Sequence, residues 1–392
     1  MARCSFCGRS ASGTASVVAG PRGVGICGAC ASLAAEVALD ATQPEQVDRV
    51  ITSIGGLMTN DRRHEGLGGW INDAAVAIRR GRITWVGPER HLPARYAELP
   101  TVDAGGRIVA PGFVDAGTSL LGETDAAGGP EAAVDQAAGI VSDLTEGGVT
   151  ALDLAVGGSD DPMRETVALA AGRGLAERAS ATIAVSWRLP EGLDPTTIRR
   201  VLLPAATRLA SHAIVRCEGP PHDLDGRLAA CRPLRPRIEV CDEPDSCLEA
   251  AEGALSVAGS GHVTPVEGVV SIVEPLGLLD GLSLPARKLW DGGAVVAVAS
   301  RNDPARRLVR TPFLLMALLA DVGGLSVEEA AWAMTRGGAL ALGDPERGRI
   351  RPGDVADLVV LDTDDLADLV RRPDGTWASS VIVGGALVAT RP

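Results

Sequence analysis

The chain has 392 residues, with 50 Asp and Glu against 37 Lys and Arg and a formal net charge of −13 at pH 7. So acidic a surface repels phosphate backbones and excludes nucleic-acid binding through a broad basic face, while a hydrophobic share of 46% excludes disorder along most of the length. Lys288 is the only lysine, in Ala-Arg-Lys-Leu-Trp, so the chain has no Gly-Lys-Ser/Thr phosphate loop.

The length predicts two or three domains at ~150 residues each. The opening Met-Ala-Arg-Cys-Ser-Phe lacks the apolar core of a signal peptide. The apolar run at 313–320 is far short of the ~20 residues a membrane span needs. The expected location is the cytoplasm, with neither nucleic acid nor membrane among the partners.

The first predicted element is a metal site. Cys4, Cys7, Cys27 and Cys30 form C-x2-C, a 19-residue spacer and a second C-x2-C. Two residues between cysteines let both sulfurs of a tight knuckle face one ion, and two knuckles supply the closed tetrahedral S4 shell of one structural zinc. A disulfide framework does not suit a cytoplasmic chain. Leu33 and Val37 recur at helical spacing after the second knuckle.

Cys-Ser-Phe-Cys-Gly-Arg-Ser at 4–10, Val-Ala-Gly-Pro at 18–21 and Ile-Cys-Gly-Ala-Cys at 26–30 resemble the N-terminal C4 zinc-binding domain of ClpX-type unfoldases. The resemblance covers residues 1–40. It implies a small treble-clef-like module that dimerises and docks a protein partner. The spacer is a residue longer than is usual in that family, and the family's ATP-driven motor is absent, as the missing phosphate loop indicates.

Residues 41–47 read as a polar linker. Beyond it, 74–78, 82–87 and 107–112 are short strand patterns separated by Gly-rich or polar turns. From there to about residue 340, strands and helices alternate. Strands are predicted at 109–115, 149–156, 182–188, 213–218, 237–242, 262–266, 269–274 and 294–300, with helices at 131–145, 162–178, 196–210 and 246–257. Eight strands in that alternation fit an α/β chain built on a (β/α)8 TIM-like barrel. Short strands return at 356–362 and 380–388.

Gly-Arg-Ile-Thr-Trp-Val-Gly at 81–87, Val-Asp-Ala-Gly-Gly-Arg-Ile-Val-Ala-Pro-Gly-Phe-Val-Asp at 102–115 and Arg-Ile-Arg-Pro-Gly-Asp-Val-Ala-Asp-Leu-Val-Val-Leu-Asp at 349–362 resemble the amidohydrolase superfamily, and within it the imidazolonepropionase-like group. The resemblance implies a barrel over 111–345. A composite β-sandwich is assembled from 48–110 and 346–392, on both sides of the barrel. It also implies one or two metal ions at the barrel's C-terminal mouth, where a bound water becomes the hydroxide nucleophile.

The ligands that the family would supply are not in place. Gly117 and Ser119 stand at the two positions of the first-strand His-x-His, and Arg301 stands at the eighth-strand Asp. An arginine there sets a fixed positive charge where the metal would sit. Asp303 reaches that position only by a register slip. Cys241 is nearest the fifth-strand histidine, and His262 matches the sixth. Strand ends further offer Glu218, Asp242, Glu243 and Glu274. Cys241 with His262 makes a weak thiolate–imidazole candidate. Cys217, Cys231 and Cys247 read as ordinary buried thiols, and His64, His91, His212 and His222 as surface groups.

The favoured reading is a zinc-binding interaction, scaffold or regulatory factor whose amidohydrolase-like barrel has lost its chemistry, working through a protein partner and as a homodimer. Two alternatives stand beside it. One is an active hydrolase on C–N bonds of a small cyclic amide or imidazole-type substrate. The other is a sensor binding a small anionic molecule at the barrel mouth through Arg301.

Overall fold

The computed structural model of the protein describes residues 3–5, 17–19, 25–27, 30, 47–122, 129–217, 224–240, 254–258, 265 and 268–391. The chain divides into two compact units, Met1–Glu45 and Gln46–Pro392. In the first, β1 (Val17–Ala19) and β2 (Gly25–Cys27) pair antiparallel, Val17 opposite Cys27. Ser5 is tied to the start of β2 twice: its N–H donates to the Gly25 carbonyl at 2.7 Å and its Oγ accepts from the Gly25 N–H at 3.0 Å.

The second unit opens with a mixed sheet. Its strands are β3 (Arg49–Met58), β4 (Trp70–Arg79), β5 (Arg82–Pro88), β6 (Thr101–Asp103) and β7 (Ile108–Pro111). Near the C-terminus the sheet is completed by β16 (Leu358–Leu361), β17 (Ala378–Val383) and β18 (Ala386–Thr390). The order is β18-β17-β16-β7-β3-β4-β5, with β6 beside β3. The join between the two chain segments is β7 against β16, Pro111 opposite Leu358. Ile51, Ile54, Val76, Ile83, Leu358 and Ile382 form one buried cluster drawn from both segments. The single strand pattern at 380–388 is a hairpin: Gly384 and Gly385 both take positive φ, 54° and 83°. Glycine adopts that conformation without steric cost.

Between these segments, eight parallel strands follow in chain order. They are β8 (Phe113–Thr118), β9 (Val149–Gly157), β10 (Thr182–Arg188) and β11 (His212–Cys217), then β12 (Arg237–Val240), β13 (Ser256–Ala258), β14 (Val270–Val273) and β15 (Val295–Val298). The first and last meet around their C-terminal ends: Arg301 N–H donates to the Gly117 carbonyl at 2.9 Å and Ser119 N–H to the Asn302 carbonyl at 2.8 Å. This is the barrel predicted from the sequence. The sixth strand differs. The sequence pattern sets it at 262–266 after a helix ending at 257, whereas Ser256–Ala258 is the strand, paired with β12 and β14. Ala and Leu upstream favour helix locally, and pairing to two neighbours overrides that preference.

The outer helices bury apolar faces on the strands. Those used below are α1 (Gly129–Glu146), α2 (Pro162–Arg178) and α3 (Pro312–Asp321). Asp161 caps α2, its Oδ1 accepting the Met163 N–H at 2.8 Å. Phe313 of α3 meets Phe113 edge to face, centroids 5.5 Å apart. Inside the barrel, Val114, Ala116, Ala151, Ala297 and Ala299 cluster with residues of a short helix, α4 (Gly338–Ala341). The helix packs hard against the strands. A Cβ at Gly337 would lie 1.9 Å from the Val296 carbonyl oxygen, and one at Gly338 would lie 2.7 Å from Val114 Cβ. Small residues along the strands therefore go with a helix wedged into the barrel.

Candidate functional site at the barrel mouth

Alternate residues of a strand face the same side, and four strands carry charge inward in two tiers. The lower tier centres on Arg237, whose side chain is 5% exposed against 2% for Asp153. Its Nη1 meets Asp153 Oδ2 at 2.5 Å, and its Nε donates to Ser256 Oγ at 2.9 Å. Its Nη2 donates to the Ala341 carbonyl at 3.1 Å, and Ser186 Oγ donates to Asp153 Oδ1. A buried charge pair persists when its remaining donors are satisfied in this way.

His212 sits in the same interior. The sequence reading gives it a surface role; instead it is buried, its Nε2 3.0 Å from the Leu342 carbonyl and its Nδ1 without a hydrogen-bond partner among the described residues. A strand's first residue faces the barrel interior or the solvent according to how the sheet closes, and its own neighbours in sequence do not decide that. His64 and His91 are exposed, as expected, and Cys231 is buried with its thiol pushed up to about 12 by burial.

Burial, with the Arg237 charge nearby, lowers His212 from 6.5 to about 4. The folded state therefore refuses a proton that the unfolded chain accepts. Its contribution is complete above pH 6.5 and is lost as the pH falls from there toward 4. Asp115 acts in the opposite sense, since burial raises it from 3.8 to about 6; its contribution is complete near pH 4 and is lost as the pH rises through 6. The two partly cancel. A His212→Gln variant is expected to lose roughly 3 kcal/mol less unfolding free energy than the parent between pH 6.5 and 4. Denaturant titrations across that range check this; identical slopes would contradict it.

The upper tier lies at the mouth. Arg301 Nε donates to Glu274 Oε1 at 2.8 Å, and its Nη2 reaches Glu274 Oε1 at 2.5 Å and Glu239 Oε1 at 2.7 Å. Arg188 Nε lies 3.8 Å from Glu239 Oε2. Burial alone would lower Arg301, but Glu239 and Glu274 outweigh it and hold the guanidinium above its ordinary value. The backbone here is in the left-handed region, φ 53°. Such a conformation in a non-glycine residue is kept only where its surroundings fix it.

The family's ligand positions do converge. Gly117 O and Arg301 N are hydrogen-bonded, Ser119 N reaches Asn302 O, and a Cβ on Gly117 would lie 3.1 Å from Ala299 Cβ. Asp115 ties the seam, its Oδ1 accepting from Ser300 N at 2.9 Å and Gly117 N at 3.2 Å. Among the described residues, the donor set at these three positions does not fit a metal ion. Gly117 has no ligand atom, Ser119 offers a neutral hydroxyl, and Arg301 fills the third position with positive charge. Asp303 gives no substitute. Its Oδ1 accepts the Ala305 N–H at 2.8 Å and its carbonyl accepts from Arg306 and Arg307, so it builds the following turn. Cys241, His262, Glu218, Asp242 and Glu243 lie outside the described residues.

In the N-terminal unit, the Sγ atoms of Cys4, Cys27 and Cys30 all lie within 4.8 Å of one another, and Cys27 N–H points at Cys4 Sγ at 3.4 Å. Three soft donors this close suit a tetrahedral zinc. Cys7, the fourth predicted ligand, lies outside the described residues.

Glu239, Arg188, Asp153 and Arg237 escaped the sequence reading. The signal was the i, i+2 pairs Ser186/Arg188 and Arg237/Glu239 in otherwise apolar strands, which become meaningful once those positions face the barrel axis.

Comparison with known proteins agrees with this architecture. Residues 2–39 match the ClpX C4-type zinc finger, and residues 291–389 match the amidohydrolase family. The imidazolonepropionase of Streptomyces griseus is 30% identical over 398 residues, covering 86% of this chain and 98% of that protein. That of Paracoccus denitrificans is 28% identical, covering 85% and 98%. Aspergillus niger ochratoxinase superposes with a TM-score of 0.69 at 16% identity, covering 88% of this chain and 96% of that one. Klebsiella pneumoniae 5-methylcytosine deaminase does so with 0.67 at 18%, covering 88% and 98%. The chain belongs to the amidohydrolase family, among the relatives of imidazolonepropionase, and carries a ClpX C4-type zinc finger in its N-terminal segment.

Proposed function

We propose that the barrel of this protein no longer hydrolyses through a metal-bound water, and that the chain is a cytoplasmic regulatory or scaffold factor. Its N-terminal unit holds one structural zinc through Cys4, Cys7, Cys27 and Cys30 and contacts a protein partner or a second copy. The observation that carries this reading is Arg301, paired with Glu239 and Glu274 at the position where the family places a ligand carboxylate. Gly117 and Ser119 support it, since neither restores a pair of imidazoles. No helix among the described residues is long and apolar enough to cross a membrane, in keeping with such a role.

A cleft of about 1020 Å³ at the mouth favours a second reading: a hydrolase of C–N bonds in a small cyclic amide or imidazole-type ring, using a different site. Turnover separates the two. The purified chain, supplied with zinc or manganese, is expected to open neither imidazolonepropionate nor a panel of cyclic amides above the uncatalysed rate. Turnover abolished by Arg301→Ala would overturn the proposal and make the mouth an enzyme site.

A further inference from the structure

Arginines on several outer helices of the barrel are paired with acids. Arg173 meets Glu177 at 2.8 Å on α2, and Arg178 reaches Asp135 of α1 at 3.1 Å. Arg287 meets Asp291 at 2.6 Å on the helix before β15, and Arg371 meets Asp365 at 2.9 Å after β16. The connection from β10 to β11 breaks this pattern. No Asp or Glu falls between 195 and 217. Asp194, the nearest acid upstream, is used by the backbone: its Oδ1 accepts from Thr196 N at 2.9 Å and Thr197 N at 3.1 Å. Arg199, Arg200 and Arg208 are exposed, and their guanidinium groups make no hydrogen bond, ion pair or ring contact with any described residue. The same holds for Arg232, on the turn Arg232–Leu234, which packs beside the helix Leu203–Leu209.

The backbone explains how these groups come to share one face. Pro204 has no N–H to give to the preceding turn. That turn, Ile198–Leu202, is π-helical, with Leu203 N–H donating to the Ile198 carbonyl five residues back. A wider turn rotates less per residue than an α-helical one. The consecutive residues Arg199, Arg200 and Val201 are therefore all exposed, while Ile198, Leu202 and Ala206 are buried in the core beneath. Pro204, Thr207 and Arg208 continue the exposed stripe, which runs about 13 Å from Arg199 to Arg208 at ~1.5 Å per residue. Val201 stands among the basic groups 56% exposed.

No acid among these arginines relieves their mutual repulsion. On a chain of net charge −13, they form a local surface of the opposite sign around an apolar side chain. The complement is a segment that carries carboxylates and an apolar residue to cover Val201 and Pro204. A nucleic acid or an anionic membrane would extend past the stripe onto a surface that repels it. No aromatic residue occurs in 195–209 or 224–235 to stack on bases. We propose that the face formed by Arg199, Arg200, Val201 and Arg208, with Arg232 beside it, docks an acidic segment of a partner protein. The proposal puts a partner on the barrel body, and it rests neither on the zinc unit nor on the loss of metal chemistry.

Fluorescence anisotropy with the full zinc-loaded chain, at about physiological ionic strength, tests it. The probe is a labelled peptide of Glu-Leu-Glu-Glu repeated four times; the comparisons are its Gln-Leu-Gln-Gln counterpart and an oligothymidylate of the same length. The expected result is saturable binding of the acidic peptide, with neither comparison binding as tightly. An Arg199→Glu/Arg200→Glu/Arg208→Glu variant is expected to melt like the parent and to bind the peptide about tenfold more weakly or worse. Arg62→Glu/Arg90→Glu/Arg306→Glu makes the same change in net charge at three exposed, unpaired arginines elsewhere, and is expected to bind like the parent. No saturable binding of the acidic peptide would overturn the proposal, as would equal binding of the oligothymidylate. Equal losses in the two variants would reduce the effect to overall charge and overturn it too. Sedimentation of the parent as an assembly that the first variant splits would make a second copy the occupant, and would also overturn it.

Discussion

Replacing Cys4 and Cys27 with serine is expected to remove the zinc and unfold Met1–Glu45, leaving the melting of the Gln46–Pro392 body unchanged. The physical reason is size. A unit this small buries too little apolar surface to fold alone and needs a metal or covalent staple. Its described regular structure is a hairpin of two three-residue strands, and Cys4 and Cys27 stand together at its edge. Structural zinc sites of this kind contribute roughly 10–16 kcal/mol of apparent binding free energy, which is folding free energy for the unit that forms them. Zinc analysis by plasma mass spectrometry and limited proteolysis of residues 1–45 read the two consequences. A variant that keeps both its zinc and its protease resistance would contradict the assignment.

The second large effect is at the barrel mouth. Arg301→Ala is expected to destabilise the body by about 3 kcal/mol, because it takes the guanidinium away from Glu274 and leaves Glu239, in a largely buried site, with the more distant Arg188 at 3.8 Å. The geometry makes the case: Glu239 Oε1 and Glu274 Oε1 share one guanidinium nitrogen, at 2.7 and 2.5 Å, and both side chains are only 16% exposed. Removing Arg301 and both glutamates together is a different matter. A triple variant, Arg301→Met with Glu239→Gln and Glu274→Gln, is expected to recover most of the loss, since a buried ion cluster returns little beyond the cost of its own desolvation. Urea unfolding of the three proteins provides the check. Equal stability of Arg301→Ala and the parent would show that the cluster is a solvated surface pair.

These two sites mark how far the sequence was readable. The cysteines were legible because metal spacing is local: two residues between sulfurs form a knuckle wherever it occurs. The phrases at 102–115 and 349–362 were legible because they code β7, β8 and β16 and the turns around them. Gly112 shows how tightly such a phrase is constrained. It lies between β7 and β8, where a Cβ would fall 2.0 Å from Thr150 Oγ1. Asp153, His212, Arg237 and Glu239 were not legible, because their meaning depends on which face of each strand turns inward. That is set by closure of β8 against the residues after β15, from positions far apart in the chain. The sixth strand was misplaced for a related reason: three residues in extended pairing carry too weak a local pattern to outweigh a helix-favouring run beside them.

Arg301 itself was legible as a substitution, while its consequence was not. One of the two alternative readings of the sequence has that charge bind an anion at the mouth. The structure surrounds that charge with Glu239 and Glu274 and sets other arginines, Arg164, Arg188 and Arg306, along the cleft. In the proposed reading, the missing histidine pair and the internal ion pairing of Arg301 are two aspects of one arrangement.

The most direct measurement is metal stoichiometry after the purified chain is incubated with excess zinc, manganese and iron and then desalted. The account predicts one zinc per chain, falling to none in the Cys4→Ser/Cys27→Ser variant. A second ion that survives in that variant would place a metal in the barrel and contradict the central claim.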